Sequence, residues 1–331
     1  EFIYFSYKEI KNSGIQFKIL ETNLKEIINY NEFFDPGNLG IRDLEIIENN
    51  IYMTYPKYLG NDCYAMSILT AEINFDFLKF EEFYSYDECL GTWLSTRSGG
   101  RIENMNDYIL LSIGDYGVEE YPPTSQNLNN YYGKIIKINK SNKKSSIVSL
   151  GHRNPQGLYY DEQLNIILET EHGPNGGDEL NLIQNDDQKN NYGWPISSYG
   201  EHYEGTIKRH KEKNTYENLI KGAPLYKSHK KYGFIEPLKD WTPSIGISQV
   251  IKIGNNFRTK YINDYWIAGM GNNIPEGDMS IHHLRFNGDF TKIEFEDKLV
   301  VEERIRDLIY VREKNTVFVI VENTPALLLL K

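Results

Sequence analysis

The sequence predicts an all-β fold, read as a six-bladed β-propeller. Three observations lead there. Short runs rich in β-branched and aromatic residues recur along the chain, separated by Asn, Gly, Asp and Pro. No window carries a long helical stripe, and 25 Tyr stand against 5 Met and 12 Pro, a balance that favours strands. The third observation is length. A sandwich of 331 residues is oversized, whereas six blades would take roughly 55 residues each, slightly above the usual blade repeat. No crisp internal repeat is visible. The expected organisation is a single propeller domain spanning residues 1–331.

In chain order the expected strands are FIYFSY (2–7), IQFKIL (15–20), DLEIIENNIYMTY (43–55) and YAMSILTAEI (64–73), the last opening a hairpin. DYILLSIGD (107–115), YGKIIKIN (132–139) and LNIILET (164–170) follow. Then come ISQVIKIG (247–254), DYWIAGM (264–270), SIHHLRF (280–286), DLIYVRE (307–313), NTVFVIVEN (315–323) and PALLLLK (325–331). Residues 184–240 carry few strand signals and many charges and turns, and read as long loops on one face. One short helix is expected in TYENLIKG, closed by Gly222.

The net charge of −11, with no basic run, argues against nucleic acid as a partner. A pocket can still be locally basic and take an anion. No stretch is long enough to span a membrane, since the most apolar tail is broken by Glu322, Asn323 and Pro325. Cys63 and Cys89 could form one disulfide in an oxidising compartment or remain two thiols. The chain starts at Glu1 without a signal peptide, which leaves export open.

Two loops flank the strand-like run at 158–170. In GHRNPQG (151–157), Pro155 holds Asn154 extended, and Arg153 presents a planar fork. In EHGPNGGDE (171–179), glycines and Pro174 expose carbonyls beside Asp178 and Glu179, the hard oxygen donors that calcium takes. A lone GGDE is more often a solvated surface loop. Its combination with GHRNPQG and with NYGWP (191–195) is far less ordinary.

Together GHRNPQGL, EHGPNGGDELNLI and NYGWP resemble the soluble dehydrogenases that use pyrroloquinoline quinone (PQQ), especially their aldose sugar dehydrogenase branch. PGNLGIRDLEI (36–46), SGGRI with ILLSIGDYG (98–117), NNYYGKIIKI (129–138), WTPSIGIS (241–248) and ERIRDLIYVREKNTVFVIVEN (303–323) extend the likeness to the C-terminus. Residues 1–35 match poorly, so the first blade is open to being incomplete or rebuilt.

The resemblance implies a six-bladed propeller carrying PQQ and Ca2+, with hydride passing from C1 of an aldose to the quinone to give a lactone. By position, Asn38, Arg153 and Asn154 would contact the cofactor, and Arg304 and Arg306 would pair with its carboxylates. Carbonyls of Gly173 and Pro174 would hold the cofactor's calcium. Glu179 and the Tyr192 carbonyl would hold a second, structural calcium, and Trp241 would line the substrate mouth. The implied partners are a sugar and an external electron acceptor, in the periplasm or outside the cell. Read without the resemblance, Arg304 and Arg306 are one solvated strand face, and Trp241 is core. His172 reads as a hydrogen-bonded structural histidine, Asp115 and Gly117 as turn residues. His282 and His283 point to opposite faces and share no metal.

The pattern breaks at one place. The family's general base is a histidine four residues before the Arg of GGR, and here that position is Arg97. A guanidinium stays protonated and cannot take the proton. Asp35 and Glu201 are conceivable substitutes. The chain also lacks the cofactor-binding Lys near residue 271 that the glucose-specific branch carries. The first functional expectation is therefore PQQ- and calcium-dependent aldose oxidation with altered base chemistry. The alternative is a non-catalytic propeller that binds a ligand or partner on the same face. A lactonase-type propeller would need axial carboxylates around a metal, and that pattern is not evident in the sequence.

Overall fold

A computed structural model describes residues 20–28, 40–61, 63–89, 97–117, 122–186, 189–254, 257, 260–271, 273–324 and 326–330. FIYFSY, most of IQFKIL, Asp35 and Asn38 lie outside the described residues. Strand β1 (Glu21–Thr22) and helix α1 (Leu24–Ile27) precede the first sheet. That sheet is formed by β2 (Asp43–Ile47), β3 (Asn50–Gly60), β4 (Cys63–Glu72) and, after β5 (Phe77–Leu78), by β6 (Glu81–Ser85). β5 pairs in parallel with β1.

The second sheet takes β7 (Gly99–Met105), β8 (Tyr108–Ile113), β9 (Lys134–Asn139) and β10 (Ser145–Leu150). The third takes β11 (Pro155–Asp161), β12 (Ile166–Glu171) and β13 (Asp178–Gln184). Between them in the chain's continuation, β14 (Asn190–Asn191) returns in parallel to β10. Helices α2 (Glu204–Glu212) and α3 (Tyr216–Gly222) follow, and β15 (Lys239–Trp241) completes the third sheet on β13. The fourth sheet is β16 (Ile247–Lys252), β17 (Asp264–Gly269), β18 (Ser280–Phe286) and β19 (Ile293–Val300). The fifth is β20 (Ile305–Val311), β21 (Thr316–Val321) and β22 (Ala326–Leu330).

Apart from the parallel β14, each of these five sheets is antiparallel, and their first strands, β2, β7, β11, β16 and β20, lie side by side. This is a β-propeller, with five blade-like sheets among the described residues. Apolar clusters fill each gap between neighbours. Ile68, Ile102 and Ile136 pack between the first and second sheets. Leu110, Leu158 and Ile167 fill the next gap, Leu168, Val250 and Ile267 the third, and Ile281, Ile305 and Val319 the fourth. On its outer face the first sheet is covered by Leu24, Ile27 and Ile28. Because both faces of a blade are buried, its strands read as continuous apolar runs rather than as alternating ones.

The cysteines form the Cys63–Cys89 disulfide, with Cα atoms 5.7 Å apart, tying β4 to the chain after β6. Two expectations about residues 184–240 are corrected. The segment holds α2, which has no buried residue and therefore no apolar stripe to read, besides the expected α3. Gly222 is the last residue of α3 rather than its cap, and Ala223 ends the helix.

Arg101 on β7 ties the first strands together across the axis. Its Nη1 donates to Asp43 Oδ1 on β2 at 3.0 Å and to Asp307 Oδ2 on β20 at 3.1 Å. Its Nε donates to the Gln156 carbonyl on β11 at 2.9 Å. Axial carboxylates, not evident in the sequence, are thus present, and Arg101 is paired with two of them. Burial pushes the Asp43 carboxyl up to about 6 despite Arg101. It pushes half-buried Glu45 to about 8, helped by Asp43 and Asp307, and holds Glu103 well above the ordinary carboxylate range.

A carboxyl whose folded value is raised binds its proton more tightly in the native state. Its stabilising contribution is complete below the unfolded value and is lost as pH rises through the folded one. The melting temperature is therefore expected to fall between about pH 5 and pH 9. Calorimetry across that range checks it, and a melting temperature that rises towards pH 9 would contradict the assignment.

Candidate functional site

The first strands of the sheets all run in the same direction, so the residues entering them gather at one end of the propeller. Arg42 precedes β2, Arg97 precedes β7, Arg153 precedes β11, and Arg304 and Arg306 flank the start of β20. A chain with a net charge of −11 thus places five arginines at the entries to its first strands.

Arg153 is held from both ends. Its backbone N–H donates to Glu171 Oε2 at 2.5 Å, and its Nη1 donates to the carbonyls of His172 at 3.0 Å and Gly173 at 2.6 Å. Its guanidinium lies 5.3 Å from the Trp194 ring centre. Glu171 also contacts His152 Nδ1 at 3.2 Å and accepts from Asn181 Nδ2 at 3.2 Å. His152 is fully buried, meets Ser149 Oγ through Nε2 at 2.8 Å and stacks on Tyr192. This side-chain web fastens GHRNPQG to NYGWP and to EHGP. Gly151, at φ +78°, sits where a Cβ would come within 2.3 Å of Asn191 Oδ1, so the close approach of the two loops needs glycine.

The second loop is equally fixed. Asp178 accepts from the Gly173 N–H at 3.1 Å and from the Ile247 N–H at 3.0 Å. His172 donates from Nε2 to the Ile247 carbonyl at 2.6 Å, as a structural histidine would. Burial holds His172 below its ordinary value, and Arg153 and Arg306 add to the shift. Arg306 therefore lies within electrostatic reach of the site.

Between these loops and the helices lies a cleft open to solvent. Its propeller side is Arg97, Asp115, Arg153, Pro174 and Trp194, and its other wall is His202, Tyr203 and residues of α2 and α3. Asp115 joins the parts. It pairs with Arg97 Nε at 3.3 Å and accepts Trp194 Nε1–H at 2.7 Å and the Gly117 N–H at 2.8 Å. Asp115, read from the sequence as a turn residue, is both that and a wall of the cleft. Half-buried His202 donates from Nε2 to the Ala223 carbonyl at 2.8 Å, which leaves Nδ1 as the acceptor nitrogen. Buried Lys134, lowered to about 7 by desolvation, donates to three carbonyls including that of Ser125. Ser125 Oγ in turn donates to the Trp194 carbonyl at 2.7 Å.

The expected site residues divide. Arg97, Arg153 and Pro174 line the cleft, and Gly173 lies beside it. Asn154 is buried, with Oδ1 accepting from the Gly99 N–H at 3.2 Å and from Gln156 Nε2 at 3.0 Å, so its carboxamide joins β7 to β11. Arg304 and Arg306 both pair with Glu322, at 3.1 and 2.6 Å, and neither lines the cleft. Trp241, expected at the substrate mouth, packs between the third and fourth sheets edge-on to His282 and is not among the residues lining the cleft. Glu201 is exposed, pairs with Lys227 and is not among the residues lining the cleft. His282 and His283 have separate partners, Gly277 O and Asp264, as their opposite faces imply.

Of the five arginines, Arg97 and Arg153 line the cleft, where an anionic ligand would meet them. A calcium at Gly173 and Pro174 also fits, because the Gly173 carbonyl has a second lone pair beyond the one Arg153 uses. The second implied calcium does not fit. His229 stands between its two expected ligands, with Nε2 3.1 Å from Glu179 Oε1 and Nδ1 2.9 Å from the Tyr192 carbonyl.

Fold and site together define a β-propeller with a cationic cleft at the entry end of its first strands. The chain belongs to the glucose/sorbosone dehydrogenase family, whose profile matches residues 15–330. It is 33% identical over 121 residues to an aldose sugar dehydrogenase of Escherichia coli, covering 32% of this chain and 31% of that protein. It is 31% identical over 183 residues to quinoprotein glucose dehydrogenase B of Acinetobacter calcoaceticus, covering 43% of this chain and 37% of that protein. These matches span well under half of each relative's length. The solved apo-form of the soluble Escherichia coli aldose sugar dehydrogenase superimposes with a TM-score of 0.67 at 22% identity, over 88% of this chain and 82% of that one, and so supports the fold alone.

Proposed function

We propose that the protein oxidises aldose sugars to lactones with PQQ and calcium held at the end-face cleft. The observation that carries this reading is buried Arg153 lining one cleft, beside the Gly173 carbonyl and Pro174, in an otherwise acidic chain of this family. Hydride abstraction from sugar C1 is the chemistry the quinone supplies when bound. Arg153, with Arg304 and Arg306 released from Glu322, would pair with its carboxylates, and Gly173 and Pro174 would offer carbonyls to the calcium.

Arg97 cannot act as base. Asp115 already has both oxygens engaged by Arg97, Gly117 and Trp194. His202 Nδ1 is the acceptor we assign to the sugar's C1 hydroxyl proton. Losing a positioned base removes roughly 10²–10⁴ in rate. His202→Phe is therefore expected to lower dye-linked aldose oxidation at least about 100-fold with quinone affinity unchanged. Full activity in that variant would remove His202 from the role.

The six-blade count belongs to the same reading, as does a periplasmic or extracellular location, which the Cys63–Cys89 disulfide supports. The partners would be a sugar and an external electron acceptor. Among the described residues no helix is long and apolar enough to cross a membrane. One observation favours the second reading, a non-catalytic ligand-binding propeller: Arg97 is pinned to Asp115 where the family has its base.

A further inference from the structure

Beside the cleft lies a smaller pocket, reached by Glu179, Tyr192, Ser198 and His229. His229 is 1% exposed, and its ring fills the corner between a carboxylate and a carbonyl. The Tyr192 carbonyl can only accept, so Nδ1 carries a proton. The opposite ring edge then meets Glu179 Oε1 at 3.1 Å, in an ion-pair contact rather than a well-aligned hydrogen bond. That contact is attractive only when a second proton sits between the two groups.

The backbone is built around this ring. The N–H groups of Tyr232 and Phe234 both donate to the His229 carbonyl at 3.0 Å. Gly193, at φ +91°, leaves room for the imidazole, since a Cβ there would lie 3.0 Å from Nδ1. Calcium requires six to eight oxygens at about 2.3–2.6 Å. An imidazole ring bridging the oxygens excludes that shell.

We infer that His229 is an internal substitute for a metal ion, bridging Glu179 and the Tyr192 carbonyl so that this corner folds without calcium. His229 is thus a positioning residue. It fixes Tyr192, on which His152 stacks, and through NYGWP it fixes Trp194 over Arg153. The inference does not depend on the quinone reading, because calcium alone is the probe.

The test counts calcium per chain by equilibrium dialysis and compares melting in calcium and in EDTA, without quinone. For Glu179→Gln the calcium count is expected to equal that of the unaltered protein, whatever the cleft itself binds. For His229→Asp, which leaves two buried carboxylates in the corner, one additional calcium per chain is expected, with a calcium-dependent rise in melting temperature of several degrees. A loss of one calcium in Glu179→Gln would place a metal at this corner and overturn the inference. So would a His229→Asp protein that melts identically in calcium and EDTA, or one that cannot be recovered folded even with calcium.

Discussion

Arg153→Ala is expected to weaken PQQ binding about 10- to 100-fold, read as the quinone absorbance during titration. A charge-assisted, fork-shaped contact to a carboxylate is worth about 1.5–3 kcal/mol, close to the 1.4 kcal/mol per tenfold conversion taken once or twice. The effect here has two sources. The guanidinium is the buried cation of the cleft, and it also clamps the His172 and Gly173 carbonyls, at 3.0 and 2.6 Å. Its loss would loosen the loop that offers carbonyls to calcium. Arg153→Lys keeps the charge but not the planar fork, and should restore only part of the affinity. Unchanged affinity in the alanine variant would remove Arg153 from the quinone site.

Arg101→Met is expected to destabilise the fold by about 3–5 kcal/mol, the cost of stranding buried charge by deleting one partner of an ion pair. Asp43 and Asp307 sit on the first strands of the first and fifth sheets, and both meet Arg101 Nη1. Without the guanidinium, two carboxylates and the Gln156 carbonyl would face one another across the axis. Adding Asp43→Asn and Asp307→Asn should recover part of the loss, because the charges are then removed as well. Denaturant unfolding measures both steps. An Arg101→Met protein as stable as its parent would mean that the axial triad does not hold the blades together.

Much of this architecture is legible in the sequence because blade strands are buried on both faces and so read as apolar runs. LNIILET and ISQVIKIG correspond to β12 and β16 closely. Strands with polar or exposed positions are harder to read. GGRIENM forms β7, and IEFEDKLV forms β19 with nearly every residue exposed, and neither has the composition of a buried strand. Helix α2 is polar all round and leaves no stripe. At the site, local motifs reveal the two loops and Arg153, since backbone and side chain lie in one short segment.

Contacts made across the chain are not legible in that way. Trp241 has the same local sequence whether it lines a mouth or packs in a core, and only the fold sets it among the apolar residues between the third and fourth sheets. His202 and His229 lie in none of the motifs that carry the resemblance. Only the fold brings His229 to Glu179, 50 residues earlier in the sequence (229 minus 179), and only the rule that a carbonyl must accept fixes its proton.

The central claim is that the cleft holds a calcium-bound quinone and turns over sugar. The most direct measurement is a titration of metal-stripped protein with PQQ and calcium, followed by aldoses, recording the quinone spectrum. Saturable, calcium-dependent binding with sugar-dependent bleaching of the oxidised quinone is the predicted result. Binding without reduction by any aldose would contradict catalysis and leave the ligand-binding reading. Absence of binding would contradict the quinone assignment itself.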